Sequence, residues 1–141
     1  MAGVGKTLKI VPTLIFPYIL YHIFAWTAGT ENENGIEVVM GSITLASGQV
    51  WTLTLGHFVI VLALMFLYIE IFKSTRTSND SPILDHMASL ALFVICMVEF
   101  MMAKVAGTSA FFILLMMTLV DVIGGFTISF TGARRDFGGG G

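Results

Sequence analysis

Four ionisable side chains lie inside long apolar runs of the sequence, and their types could do chemistry. Glu99 is the clearest case, because it interrupts the run FVICMVEFMMAK at residues 93–104. The other three are His22, His57 and Asp121. A charged group in hydrocarbon is costly, so such residues normally face the interior of a helix bundle or a water-filled cavity and often mark a functional site.

These four residues allow three kinds of site. Imidazole nitrogens and carboxylate oxygens suit zinc, iron or manganese, which would give a metal or haem site. The same groups suit a proton relay, because His titrates near neutrality and burial raises the pKa of a carboxyl group towards that range. In the third interpretation the carboxyl groups hydrogen-bond across helix seams and the histidines are polar interface residues. No motif such as Glu-x-x-His links any pair, so the spacing leaves all three open.

The composition indicates which elements hold these residues. Of the 141 residues, 56% are hydrophobic and 11% are charged, whereas roughly a quarter of the residues of a soluble domain are charged. Each apolar run is close to the roughly 20 residues that an α-helix needs to cross a bilayer. We therefore predict an all-α, polytopic membrane protein of one domain, with helices over residues 8–28, 50–73, 82–104 and 109–131.

The depth of each ionisable residue follows from the helix rise. At about 1.5 Å per residue, His22, His57 and Glu99 lie at one level, within about two turns of the outer ends of their helices. Asp121 lies deeper, near the middle of helix four. All four are predicted in the middle or outer half of the bundle, while the rotation of each helix stays open.

Basic residues predict the orientation, because Lys and Arg are enriched in short cytoplasmic segments. They lie at the start of helix one, at the end of helix two and after helix four, so both termini are expected in the cytoplasm. Lys104 is the exception, at the outer end of helix three, where its stem can snorkel to the interface. Trp26 and Trp51 fall at the same predicted outer boundary. The net charge of −2 gives no sign of a nucleic-acid partner.

Residues 29–49 form a polar outer loop between helices one and two. Its strand-like runs EVVM and ITLA are separated by Gly41-Ser42, which suits a type II′ turn, so a small outer β-hairpin is predicted, with an irregular loop as the alternative. An isolated hairpin is marginal in water, so it should rest on the membrane surface or on a partner. The glycine-rich end at residues 134–141 is expected to be a flexible tail.

Small and polar residues recur at helical spacing on helices three and four, around Glu99 and Asp121. These stripes include Ser89 and Cys96 on helix three, where the large Leu92 interrupts the pattern, and Gly125 and Ser129 on helix four. Small residues let helix backbones approach closely, so the two helices, joined by the short link AGTS, are predicted to pack as an antiparallel pair. Counting outward from residue 107 sets Gly125 opposite Ser89, with Leu92 filling part of the space.

Three further charged residues are assigned local roles. Glu70 and Lys73, three residues apart near the inner end of helix two, are predicted to form an ion pair at headgroup level. Asp85 lies near the first turn of helix three, where the helix dipole favours an acidic side chain.

The runs GQVWTLTLGHFVIVLALMFLYIEIFKSTRT, LDHMASLALFVICMVEF and TLVDVIGGFTISFTGARRDF resemble a group of small four-helix bacterial inner-membrane proteins of uncharacterised function. The resemblance covers the last three helices. It implies a bacterial inner membrane and implies no activity.

The leading functional hypothesis is a structural or accessory subunit of a larger membrane assembly, because the sequence shows neither a paired nucleophile and base nor a cofactor motif. The alternative is a small transporter, channel or proton-coupled subunit that uses the intramembrane carboxylates and histidines. A metal- or haem-binding redox subunit is the third. The expected partners are the lipid bilayer and other membrane subunits or further copies of the chain, and the sequence specifies no cofactor.

Overall fold

The computed structural model describes residues 11–29, 35–76 and 82–138, except for the side chains at 29, 76, 82, 83 and 129–138. These residues form four α-helices and one two-stranded sheet. In chain order they are α1 (Ile15–Gly29), β1 (Val39–Thr44), β2 (Val50–Thr54), α2 (Leu55–Arg76), α3 (Pro82–Met102) and α4 (Ser109–Gly138). Short 3₁₀ turns cover Gly35–Glu37 and Lys104–Ala106.

The bundle is arranged around α4, which packs against both α2 and α3, while α1 packs against α2. Both 3₁₀ turns and the sheet lie at one end of the bundle, which we call the sheet end. There Gly56 of α2 lies close to Ile36 and Ala110: an added Cβ would lie 3.0 Å from the Ala110 Cβ and 3.4 Å from the Ile36 carbonyl oxygen. The core between the helices includes Leu14, Tyr21, Val59, Ala63, Leu92, Cys96, Phe111 and Leu114.

Three of the helices are long and apolar enough to cross a membrane: Leu55–Thr75 in α2, Leu84–Met102 in α3 and Ser109–Ile128 in α4. The apolar part of α1, Ile15–Ala28, is shorter. Large apolar side chains such as Leu64 and Met101 are exposed on the outward faces, which is compatible with a lipid environment. The predicted helical class is confirmed, and so is the presence of a small sheet.

The helix bounds differ from the prediction at three places. Helix one begins at Ile15 rather than residue 8, because Pro12 has no N–H and disfavours helix at the residue before it; residues 8–10 lie outside the described part. Helix two begins at Leu55, since Val50–Thr54 is a strand. Helix four continues to Gly138, so residues 134–138 of the expected flexible tail are helical.

The hairpin is present but uses a different turn from the predicted one. Gly41 and Ser42 lie within β1, where a β-bulge falls between Val39 and Gly41. The strands are joined at Leu45–Gln49: the Leu45 N–H donates to the Gln49 carbonyl, the Gly48 N–H donates to the Leu45 carbonyl, and Gly48 has φ +82°. This is a three-residue loop that needs a left-handed residue at its end. Glycine adopts that conformation without strain, so Gly48 rather than Gly41 sets the turn.

Candidate functional site

Tyr18 and His22 of α1 meet Glu99 of α3 near the sheet end of the bundle. Because Tyr18 and His22 are four residues apart, they lie on one face of α1. The Tyr18 hydroxyl donates to Glu99 Oε2 at 2.8 Å, and His22 Nε2 lies 3.2 Å from the same oxygen. An ionised carboxylate only accepts hydrogen bonds, so His22 Nε2 is then the second donor. We call these three residues the Glu99 cluster.

Aromatic rings fix the His22 imidazole in position. The ring packs edge-to-face against Tyr18 at 4.7 Å, Tyr21 at 5.6 Å and Phe111 at 5.9 Å between ring centroids. Edge-to-face pairs at these separations are favourable. The side chains of His22 and Glu99 stay 28% and 30% exposed, so this cluster keeps access to its surroundings.

Tyr21 joins α1 to the α3–α4 connection beside the cluster. It is fully buried, and its hydroxyl donates to the Val105 carbonyl at 2.8 Å. The Thr108 hydroxyl lies 2.7 Å from the same Tyr21 oxygen and also accepts the Phe111 N–H at 3.1 Å. Thr108 therefore caps the first turn of α4 while holding Tyr21, which places α1 against the α3–α4 pair.

A cleft of about 1110 Å³ opens beside the Glu99 cluster, between α1 and the two 3₁₀ turns. Tyr18 and His22 form part of its wall. Ile19, Ile23 and Trp26 supply an apolar side, while Glu37 and Lys104 contribute charges of opposite sign.

His57 does not join the Glu99 cluster. It lies in the first turn of α2, because that helix begins at Leu55, and its side chain is exposed. The His57 N–H donates to Thr54 Oγ1 at 3.3 Å, and the Thr54 N–H donates back to His57 Nδ1 at 3.2 Å. This reciprocal pair is a capping box in which His takes the place of the usual Glu or Gln. His57 thus stabilises the junction between β2 and α2.

A second polar group lies at the opposite end of the bundle, centred on Lys73. The Lys73 ammonium contacts Glu70 Oε1 at 3.0 Å and Asp85 Oδ1 at 2.8 Å. Glu70 is only 1% exposed, and its Oε2 accepts the Thr13 N–H at 2.7 Å. The predicted pair between Glu70 and Lys73 exists, but Glu70 is buried and Lys73 also binds α3. We call Thr13, Glu70, Lys73 and Asp85 the inner cluster.

The inner cluster ties three helices together. Thr13 lies two residues before the first residue of α1. Backbone N–H groups at a helix start lack intrahelical partners. Glu70 satisfies the Thr13 N–H, and its negative charge is favourable at a helix N-terminus. Lys73 then carries the connection from α2 to α3 through Asp85.

Asp121 belongs with the inner cluster rather than with Glu99. It is buried on α4, with the Ser89 hydroxyl within hydrogen-bonding reach, and Glu70, Lys73 and Asp85 lie close enough to act on its charge. The predicted four-residue cluster is therefore divided: His22 and Glu99 meet, while His57 and Asp121 each lie elsewhere.

The contact between α3 and α4 is displaced by one turn from the predicted register. Ser89 faces Asp121, and Gly125 faces His86, where an added Cβ would lie 2.6 Å from His86 Nδ1. The reason is the position of the connection: midway between Met102 and Ser109 is residue 105 or 106, not residue 107. Leu92 and Cys96 are buried in the core, and the side chain of Ser129 lies outside the described part.

The Glu99 cluster combines a carboxyl group, an imidazole and a phenol beside an open cleft, so it can form hydrogen bonds with a ligand there. The inner cluster is enclosed and internally paired, which is typical of a structural role. Within the described residues, no three His, Cys, Asp or Glu side chains are grouped as ligands of one metal ion.

Sequence reasoning missed Tyr18 and the link between Lys73 and Asp85. The signal for Tyr18 was its position four residues before His22 on the same helix. The signal for the link was the small separation of Lys73 and Asp85 in sequence. Lys73 lies near the end of α2 and Asp85 near the start of α3, and α2 ends at Arg76 while α3 begins at Pro82.

Comparison of the chain with protein-family models, with curated proteins and with solved structures finds no match.

Proposed function

We propose that this chain is a four-helix integral protein of a bacterial inner membrane and acts as an accessory subunit of a larger membrane assembly. In the proposed orientation both termini are cytoplasmic and the sheet end faces outward. The basic residues near the helix ends support the orientation, and the three apolar helices support the membrane location.

The observation that carries the accessory role is the exposed apolar face of the sheet. The register pairs Ile43 with Trp51 on one face, and the hairpin loop adds Leu45 beside them. These side chains are 57%, 45% and 44% exposed respectively. The other face carries Ser42, Thr44 and Thr52, with Val50 as its one large apolar side chain, paired with Thr44. One face of the sheet is therefore apolar and the other is largely polar.

A two-stranded sheet of this kind needs a covering surface. It is marginal by itself in water, and contiguous exposed apolar patches typically mark sites of protein or membrane contact. Within the described residues each strand pairs only with the other, so a partner strand can add at either outer edge. We assign this face to a partner subunit that lies beside the sheet end.

The test uses two charged substitutions on neighbouring residues of β1. Ile43→Lys places a charge on the apolar face, and Thr44→Lys places the same charge on the polar face. After gentle detergent extraction, the mass of the purified particle is measured for the parent chain and both variants. We expect a particle larger than one chain for the parent and for Thr44→Lys, and loss of the partner for Ile43→Lys.

A parent chain that purifies as a clean monomer would overturn the accessory role. So would equal behaviour of the two variants, because the partner would then not depend on the apolar face. A particle made only of identical chains would identify the partner as a second copy.

A second candidate, a proton-coupled transport subunit, is favoured by the hydrogen bonds between Tyr18, His22 and Glu99 beside the cleft. A chain of four helices is small for an enclosed pathway, so this function would require several copies. Glu99→Gln separates it from the accessory role, as argued below.

A further inference from the structure

We propose that the cleft at the sheet end binds a zwitterionic phospholipid whose head group carries a primary ammonium, as in phosphatidylethanolamine. The proposal rests on the proposed membrane location and is independent of the accessory role.

The charges of the cleft fit such a head group. Glu37 and Lys104 both line it and both are exposed. Within the described residues neither forms an ion pair with another side chain. One negative and one positive side chain in the same cleft are complementary to an ammonium and a phosphate joined by a short linker. The Ser109 hydroxyl, also in the wall, can donate to a phosphate oxygen.

The apolar side of the cleft fits the acyl chains. Ile19, Ile23 and Trp26 follow one another on α1 at spacings of four and three residues, so they share a helix face. All three line the cleft and are exposed, with Trp26 78% exposed. Tryptophan is enriched at the level where lipid head groups meet hydrocarbon. The charges therefore lie where a head group would be, and the apolar face extends from there along α1.

A primary ammonium is preferred to other cationic head groups because it donates hydrogen bonds. It can donate to the Glu37 carboxylate, whereas a quaternary choline group has no N–H to donate. Phosphatidylglycerol has the phosphate but no cation for Glu37. The charges of Glu37 and Lys104 thus distinguish the three lipids.

The test is a competition measured on the full-length chain by native mass spectrometry. The protein in a neutral detergent receives equal amounts of phosphatidylethanolamine, phosphatidylcholine and phosphatidylglycerol with the same acyl chains. Since each exposed ion pair contributes little, we expect about a two- to fivefold preference for phosphatidylethanolamine. Equal binding of the three lipids would overturn the proposal.

Variants assign the preference to the cleft. Glu37→Gln and Lys104→Gln should each remove it, while His57→Gln, at the same end but outside the cleft, should keep it. Glu37→Lys leaves two cations in the cleft and should reverse the preference towards phosphatidylglycerol. This gain of a new preference cannot come from misfolding. If Glu37→Gln retains the full preference, the head group is not bound here and the proposal is wrong.

A head group without acyl chains tests whether the ligand is a lipid. Glycerophosphoethanolamine has the same charges and no acyl chains, so an excess of it should leave the lipid bound. Displacement at modest concentration would show that the cleft takes a soluble zwitterion and would overturn the assignment to a phospholipid.

Discussion

The Tyr18 hydroxyl donates a hydrogen bond to Glu99 Oε2 across the seam between α1 and α3, with 2.8 Å between the two oxygens. His22, one turn further along α1, reaches the same carboxylate oxygen. The carboxylate in the apolar run of α3 therefore has polar partners on another helix. Its contacts fix how α1 lies against α3, and its side chain stays partly exposed.

Substitution of Glu99 separates a structural role from the proton-coupled function. Glu99→Gln keeps the shape and an acceptor for the Tyr18 hydroxyl, so we expect thermal stability in detergent and assembly to be retained. Glu99→Leu removes the acceptor of both hydrogen bonds, from Tyr18 and from His22, and should lower the free energy of unfolding by about 1 to 3 kcal/mol, since each hydrogen bond typically contributes about 1 kcal/mol. Cells whose growth depends on this protein should still grow when it carries Glu99→Gln. Loss of growth with a fully stable Gln variant would instead favour the proton-coupled function.

Lys73 holds the inner cluster together, and its removal should be costly. Lys73→Met leaves Glu70 and Asp85 as buried carboxylates without their cation. Removing one partner of a buried ion pair lowers the free energy of unfolding by about 3 kcal/mol or more. We expect a loss of that size in the free energy of unfolding in detergent. Lys104→Met is the matched control, because Lys104 is exposed, and surface changes are usually within about 0.5 kcal/mol. Equal effects of the two variants would contradict the structural role of the inner cluster.

The helices were predictable because each apolar run is long and bounded by polar residues, but their ends were less so. Val50–Thr54 is as apolar as the helix that follows it, so hydropathy alone merged the strand with α2. The error moved the predicted start of the helix five residues towards the N-terminus. His57 was consequently predicted two turns deep, whereas it caps the first turn.

Two turn signals competed in the hairpin, and local sequence preference did not decide between them. Gly41-Ser42 and Ser47-Gly48 both suit a turn. The second one pairs Ile43 with Trp51 and keeps Gly41 and Ser42 within β1. That advantage lies in side-chain contacts across the hairpin rather than in the preferences of the turn residues.

No local motif specified which ionisable residues would meet, because that depends on the rotation of each helix and on the height of each residue in the bundle. Asp121 and Glu99 both face inward, yet they contact different groups because they lie at different heights in the bundle. The inner cluster also required the start of α1 to be known, since Glu70 binds the Thr13 N–H ahead of that helix. Tertiary contacts of this kind cannot be read from spacing within one helix.

The proposed orientation predicts which residues a reagent outside the cell can reach. Ser47→Cys places a thiol in the exposed hairpin loop, and Thr75→Cys places one at the exposed end of α2. An impermeant thiol reagent should label residue 47 in intact cells and residue 75 only after the membrane is opened. Cys96 can stay in place, because it is fully buried. Labelling of residue 75 alone in intact cells would reverse the orientation.

Adjacent glycines on α4 test the packing of α3 against α4. An added Cβ at Gly125 would lie 2.6 Å from His86 Nδ1, whereas at Gly124 it would meet no atom of the described residues within 4 Å. Because the His86 ring is also stacked on Phe126, it cannot move away freely. Gly125→Ala should therefore lower the free energy of unfolding in detergent by about 1 to 3 kcal/mol, as overpacking does.

Gly124→Ala should instead raise that free energy, by about 0.5 to 1 kcal/mol, because alanine loses less conformational entropy than glycine in a helix. The opposite signs at neighbouring positions exclude a general effect of alanine on α4. A His86→Ala background should remove most of the Gly125→Ala penalty, since the clashing ring is gone. If Gly125→Ala is as stabilising as Gly124→Ala, then α3 and α4 do not approach at His86, and the register of the whole antiparallel pair, including the contact between Ser89 and Asp121, is wrong.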